Sequence, residues 1–263
     1  MKLSLIFDGS ALSASNLQQA VAAAGTQTTI RVNTAQAIHI NTLLAVLSAA
    51  GNTKTFSADF NGAQLTANNL QQAVTSAGTK TAISVNTAQA VNISTLLAIL
   101  SSAGDSKNFS ANFNGAQLTA NNLQQAVTAS GARTAISVNT AQAIHINTLL
   151  AVLSAAGNTK TFSADFNGAQ LTANNLQQAV TAAGTKTAIS VNTAQAVNIS
   201  TLLAILSSAG DTKNFSANFN GAQLTANNLQ QAVAAAGNNT TIVVNSAQSV
   251  PINVLLELIN IVG

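Results

Sequence analysis

The side chains able to do acid–base, metal or nucleophilic chemistry are few and scattered. The 263-residue chain has six acidic residues, two histidines, nine basic residues and no cysteine. Zero cysteine removes disulfides, thiolate-held zinc, iron–sulfur chemistry and a thiol nucleophile. His39 and His145 occupy equivalent places in a repeated segment, and neither has a carboxylate or second histidine nearby in sequence. Each therefore reads as a structural residue at a helix start. The pairs Asp59/Asp165 and Asp105/Asp211 are repeat copies of one another and form no dyad. No Ser-His-Asp order, phosphate loop or paired carboxylate is present, so the expectation is a protein without catalytic residues, cofactor or metal.

Recurrence makes the basic residues the leading charged candidates. Lys54, Lys80, Lys107, Arg133, Lys160, Lys186 and Lys213 each follow a glycine by two or three residues. On strands stacked about 4.8 Å apart they would line one rim, where a polyanion (nucleic acid, acidic glycan or anionic lipid) could be gripped. The bland alternative is that cations beside helix C-termini offset the helix dipole and keep a weakly charged surface soluble. A net charge of +3 and the absence of Trp and Tyr favour the bland reading, since single-strand nucleic-acid grooves pair charge with stacking aromatics. Thr-x-Thr pairs at Thr26/Thr28, Thr53/Thr55, Thr79/Thr81, Thr159/Thr161 and Thr185/Thr187 could form a hydroxyl plane for ice or glycan. Ordinary β-propensity explains them as well.

Composition narrows the class further. Charged residues are 6% of the chain, against about 25% in an ordinary soluble domain. Mean hydropathy is +0.31, yet no apolar run approaches the roughly 18 residues needed to span a bilayer. Lys2 is followed only by Leu3 to Phe7 before Asp8, too short for a secretion signal. A cytoplasmic or leaderless secreted location is the expectation.

Self-comparison supplies the architecture. Phe56, Phe109, Phe162 and Phe215 recur every 53 residues, and Val32 to Thr75 returns unchanged as Val138 to Thr181. Each 53-residue block holds two related halves, A and B. Ten such units start near residues 1, 26, 52, 79, 105, 132, 158, 185, 211 and 238, with no linker, so residues 1–263 read as a single repeat domain. The copies are regular enough to fit a designed or consensus sequence too, although Ser76, Ser106, Ser130 and Arg133 break the pattern as natural duplication would.

Each half predicts a strand, a turn and a helix. In A, Phe56 to Phe60 alternates apolar and polar, the mark of a strand with one buried face. Asn61-Gly62 turns the chain. Thr66 is the expected N-cap, with Leu65 and Leu70 as a hydrophobic staple. Leu70, Ala73, Val74 and Ala77 share one helix face, and Gly78 is expected to stop the helix at positive φ. In B, Ile83 to Asn86 is the strand, Asn92 the N-cap, and Gly104 the stop. Ile99 widens the B helix's apolar arc. Its row, Val46, Ile99, Val152, Ile205 and Leu258, predicts either deeper packing or an apolar stripe for self-association.

Neither half can cover its own apolar side, so neighbours must stack, with parallel strands and right-handed crossovers. An open β-α horseshoe of ten units and a closed β-α barrel both satisfy this. The second strand face carries Ser57/Asp59, Ala82/Ser84 and Ser110/Asn112. A barrel would bury that face behind Val, Ile and Leu, so the open solenoid is favoured.

The segment Ala58 to Thr66 resembles the ribonuclease-inhibitor type of leucine-rich repeat, whose motif is Leu-x-x-Leu-x-Leu-x-x-Asn/Cys-x-Leu. Thr55, Ala58, Phe60 and Leu65 fall in its Leu slots and Ala63 in its Asn/Cys slot. The resemblance implies that the family's asparagine ladder is displaced, with Asn61 and Asn86 as candidate replacements. It also implies a binding or structural scaffold.

The ends differ from the middle. Strand positions that are polar in internal units become Ile6 in the first unit and Val243 in the last. The expected function is thus a non-enzymatic scaffold that binds protein, itself included. A polyanion- or glycan-binding module using the basic rim is the alternative.

Overall fold

The computed structural model describes residues 2–262 except Leu12, Leu65, Leu118, Ala169 and Leu171. The expected staple residue Leu65 therefore lies outside the described residues. Ten strands alternate with ten helices among those described. The strands are β1 (Leu3–Asp8), β2 (Thr28–Asn33), β3 (Thr55–Asn61), β4 (Thr81–Asn86), β5 (Asn108–Asn114), β6 (Thr134–Asn139), β7 (Thr161–Asn167), β8 (Thr187–Asn192), β9 (Asn214–Asn220) and β10 (Thr240–Asn245). The helices are α1 (Ala14–Ala23), α2 (Ile40–Ala50), α3 (Ala67–Ser76), α4 (Ile93–Ala103), α5 (Ala120–Ala129), α6 (Ile146–Ala156), α7 (Ala173–Ala182), α8 (Ile199–Ala209), α9 (Ala226–Ala235) and α10 (Ile252–Val262). Strand order in the sheet is chain order, β1 to β10, and the chain divides into two compact units, Met1–Ser137 and Val138–Gly263.

In the first unit an A strand meets the following B strand over six residues, from Phe56↔Thr81 to Asn61↔Asn86, all parallel. A B strand meets the next A strand over four, from Thr29↔Thr55 to Val32↔Ala58. The buried side of β2 to β5 carries Ile30 and Val32, Phe56 to Phe60 by alternation, Ile83 and Val85, then Phe109, Ala111 and Phe113. The helix layer contributes Leu43, Leu47, Leu70, Ala73, Val74, Leu96 and Leu100, all buried. The second unit repeats this, with β7 on β8 from Phe162↔Thr187 to Asn167↔Asn192. Burying a Phe or Leu side chain contributes about 1.5–3 kcal/mol, so a core renewed at every coil is the main source of stability.

The two helix types end by different mechanisms. B helices stop as expected: Gly51, Gly104, Gly157 and Gly210 sit at φ near +50°. A helices do not. Ala77 closes α3 in an extended conformation, and Gly78 has no positive φ. A Cβ on Gly78 would instead stand 1.8 Å from the Gly51 carbonyl oxygen. The glycine is required because two coils meet backbone on backbone there, which the sequence pattern could not distinguish from a helix stop. Thr66 does take the N-cap position of α3, but its hydroxyl makes no capping bond. His39 does cap: its Nδ1 accepts from the Asn41 N–H at 3.3 Å, and His145 does the same for Asn147.

Gly78→Ala should therefore cost more than about 2 kcal/mol, beyond the ordinary range of surface substitutions. Gly25, where an added Cβ would meet nothing within 4 Å, is the control. Gly25→Ala should be neutral or stabilising by about 0.4–1 kcal/mol through the unfolded state. Urea midpoints of the two variants check the pair.

Candidate interaction surfaces

At the C-terminal ends of the strands lies a polar ladder that sequence reasoning placed on asparagine. Glutamine builds most of it. Gln36 Oε1 accepts the Asn61 backbone N–H at 3.0 Å, while its Nε2 donates to Gln64 Oε1 at 3.3 Å. Gln89 does the same for Asn114 and Gln117. In the second unit Gln142 and Gln195 serve Asn167 and Asn220. Asn61 has a local role: its Oδ1 accepts from the Ala63 N–H at 3.1 Å and from the Thr87 hydroxyl at 2.7 Å. The Asn-Thr-Ala-Gln that recurs in the first four B units, with Ser246 in place of Thr in the fifth, was the available signal, but its one-residue offset from the family motif hid the role.

The threonine in that segment is strained. Thr34, Thr87, Thr140 and Thr193 have φ of 54–55°, as does Ser246, a region that β-branched residues avoid. The Cβ position of Gly62 is closed by the Thr87 carbonyl oxygen at 2.6 Å, and the Gly62 N–H donates to the Asn86 carbonyl at 2.7 Å. The two turns thus lock together, and the left-handed threonine is held by its neighbour. Single residues in this region cost about 1–3 kcal/mol.

The basic residues split by unit type. Lys54, Lys107, Lys160 and Lys213 are half-buried, while Lys80, Arg133 and Lys186 are exposed. Lys107 Nζ donates to the Ala77 carbonyl at 2.5 Å, at the end of α3. Lys54 and Lys213 donate likewise to Ala24 and Ala183, the terminal carbonyls of α1 and α7. These lysines complete helix C-termini where the dipole is negative. Lys186 reaches the Thr159 carbonyl at 3.4 Å.

The polar strand face is half-buried and bonded to itself. Ser84 donates to Asp59, Ser190 to Asp165, and Asn112 Nδ2 to Asn86 Oδ1 at 2.7 Å. Arg31 and Asp59 form an ion pair at 2.5 Å. The Thr-x-Thr pairs make no single plane, because Thr81 and Thr187 are buried while Thr53, Thr55 and Thr79 are exposed. The hydroxyls of Thr81, Thr134, Thr187 and Thr240 find no partner.

The helix row separates from the ends. Val46, Ile99, Val152 and Ile205 are fully buried and offer no surface; the wide apolar arc packs against flanking helices. Leu258 lines a groove of about 510 Å³ together with Leu229, Val233, Ile242, Val244 and Ile259. Ile6 is 63% exposed and Val243 36%. Among the described residues no helix is long and apolar enough to cross a membrane, and no group of three His, Cys, Asp or Glu side chains is placed to hold a metal.

Comparison with known proteins rests on structure. No family model and no curated protein matches the chain. The leucine-rich repeat-containing protein LegL7 from Legionella pneumophila superposes with a TM-score of 0.71, covering 99% of this chain and 89% of that one at 13% identity. The fold is leucine-rich-repeat-like. A chain of the Rad7–Elc1 complex of yeast superposes with a TM-score of 0.57, at 13% identity over 98% of this chain and 72% of that one. The β-α repeat, the parallel sheet in chain order and this likeness agree on a solenoid of stacked β-α units.

Thr87→Gly should be less destabilising than Thr87→Ala, inverting the usual order, because Ala retains the roughly 1–2 kcal/mol left-handed penalty that Gly escapes; thermal midpoints of the two variants decide it. At Asp8 the Thr34 hydroxyl, 2.5 Å away, and then the Ser10 N–H and hydroxyl hold the carboxyl below the ordinary aspartate value. A lowered folded pKa adds stability above the unfolded value, lost as pH falls through the folded one. Thr34→Val should raise the Asp8 midpoint in an NMR titration.

Proposed function

We propose that residues 1–263 act as one non-enzymatic repeat domain that works by binding protein, itself included. One observation carries this reading. Every exposed large apolar side chain among the described residues lies at an end of the array: Leu3, Leu5 and Ile6 on β1, Val243 on β10, and Ile252, Leu256, Ile259, Ile261 and Val262 on α10. Monomeric proteins rarely leave such contiguous patches open, and sheet edges add unpaired backbone groups. The ionisable residues support the same reading, since the A-type lysines serve helix ends and Asp59 serves Arg31 and Ser84. The yeast neighbour was itself solved in complex with a protein, which fits a protein-binding solenoid. Lys80, Arg133 and Lys186 remain exposed, on alternate coils, a sparser row than a polyanion groove requires.

Sedimentation velocity tests the reading. The weight-average sedimentation coefficient should rise with protein concentration and persist at high salt, because apolar burial is not screened. A strict monomer at all concentrations overturns self-association, and loss of assembly with added salt would point back to the charged rim.

A further inference from the structure

The last and first coils correspond position by position to the two coils that meet at the β2–β3 junction. Every B coil but the last is followed by an A coil, and the array begins with A and finishes with B. β2 reads Thr-Thr-Ile-Arg-Val-Asn and β10 reads Thr-Thr-Ile-Val-Val-Asn, so they differ only at Arg31 against Val243. β1 aligns with β3, which puts Leu3, Leu5 and Ile6 where β3 has Phe56, Ala58 and Asp59.

Inside the array Arg31 sits opposite Ser57 and pairs with Asp59 at 2.5 Å. Both members of that ion pair are apolar at the ends, as Val243 and Ile6. The inward positions agree. Phe56 and Ala58 are buried, whereas their counterparts Leu3 and Leu5 are exposed. Leu47 of α2 is fully buried, whereas its counterpart Ile259 of α10 is 65% exposed. What an internal B coil has over these positions is the following A coil, with α3 packed on α2. The groove lined by Ile242, Val244, Leu258 and Ile259 matches that covering coil in place and chemistry.

We propose that a second copy of this chain docks its β1–α1 coil onto the β10–α10 coil of the first, continuing the parallel sheet in the register of the β2–β3 junction. Ile242 then faces Leu3, Val244 faces Leu5, and Val243 meets Ile6 in place of the ion pair. The contact is heterologous, so each joint leaves a free head and a free tail and assembly propagates into rings or filaments. This inference rests on the self-association reading above and specifies its geometry.

Charge exchange at the joint tests it. Ile6→Asp and Val243→Arg restore, one at a time, the residues that form the ion pair inside the array. Each single variant leaves a buried unpaired charge at its own joint and should sediment as a monomer at every concentration, with an unchanged circular dichroism spectrum. An equimolar mixture of the two should regain assembly, since the introduced arginine meets the introduced aspartate at one joint and Val243 meets Ile6 at the next. The double variant I6D/V243R should assemble alone. If the native chain associates but both single variants associate equally well, the joint is overturned while self-association stands. If the single variants are monomeric and the mixture stays monomeric, the register is wrong. A native chain that never associates removes the joint and the self-association reading together.

Discussion

One strand and one helix cannot cover the apolar side they create, and the rest of the structure depends on a neighbour doing so. Leu70, Ala73 and Val74 of α3 or Phe56 and Phe60 of β3 are buried only because coils precede and follow them. At the ends Leu3 of β1, which stands where β3 has Phe56, and Ile259 of α10, which stands where α2 has Leu47, are open to solvent. Stability in such an array is close to a sum over neighbouring contacts, so each coil depends on the coils beside it.

Stacking at the spacing of a parallel ladder, about 4.8 Å, forces backbones into contact and decides several residues that look incidental. Gly78 has no room for a Cβ beside the Gly51 carbonyl, and Gly62 has none beside the Thr87 carbonyl. Thr87 adopts a left-handed conformation that its own side chain disfavours, and the Asn61 side chain of the preceding coil holds its hydroxyl. Local strain of this kind persists where the surroundings over-determine it. Here the surroundings are the Asn61-Gly62 turn of the preceding coil.

The polar side obeys the same economy. With 6% charged residues, the chain satisfies its exposed backbone through amides and hydroxyls: glutamines on asparagine N–H groups, serines on aspartates, and lysines on the last carbonyls of A helices. Those groups are engaged in holding coils together, which leaves the apolar ends as the surfaces with unmet packing.

Repetition, alternation and the placement of Asn92, Gly104 and the core leucines made the units, their strands and their helices legible, because those features depend only on residues close in sequence. The ends were legible too, since Ile6 and Val243 break a polar pattern that every other unit keeps. What sequence could not reveal was anything set by the distance between coils. Gly78 read as a helix stop, yet its place comes from the carbonyl of a residue in the preceding coil. Gln36 and Gln89 looked like surface amides, and only the register of successive strands turns them into the ladder. Lysines that spacing put on one rim divide into capping and exposed sets according to which helix end lies within reach. Val46 and Ile99 could equally have been a surface stripe until flanking helices closed over them. Local chemistry along the chain wrote the coil; the few ångströms between one coil and the next assigned each side chain its partner.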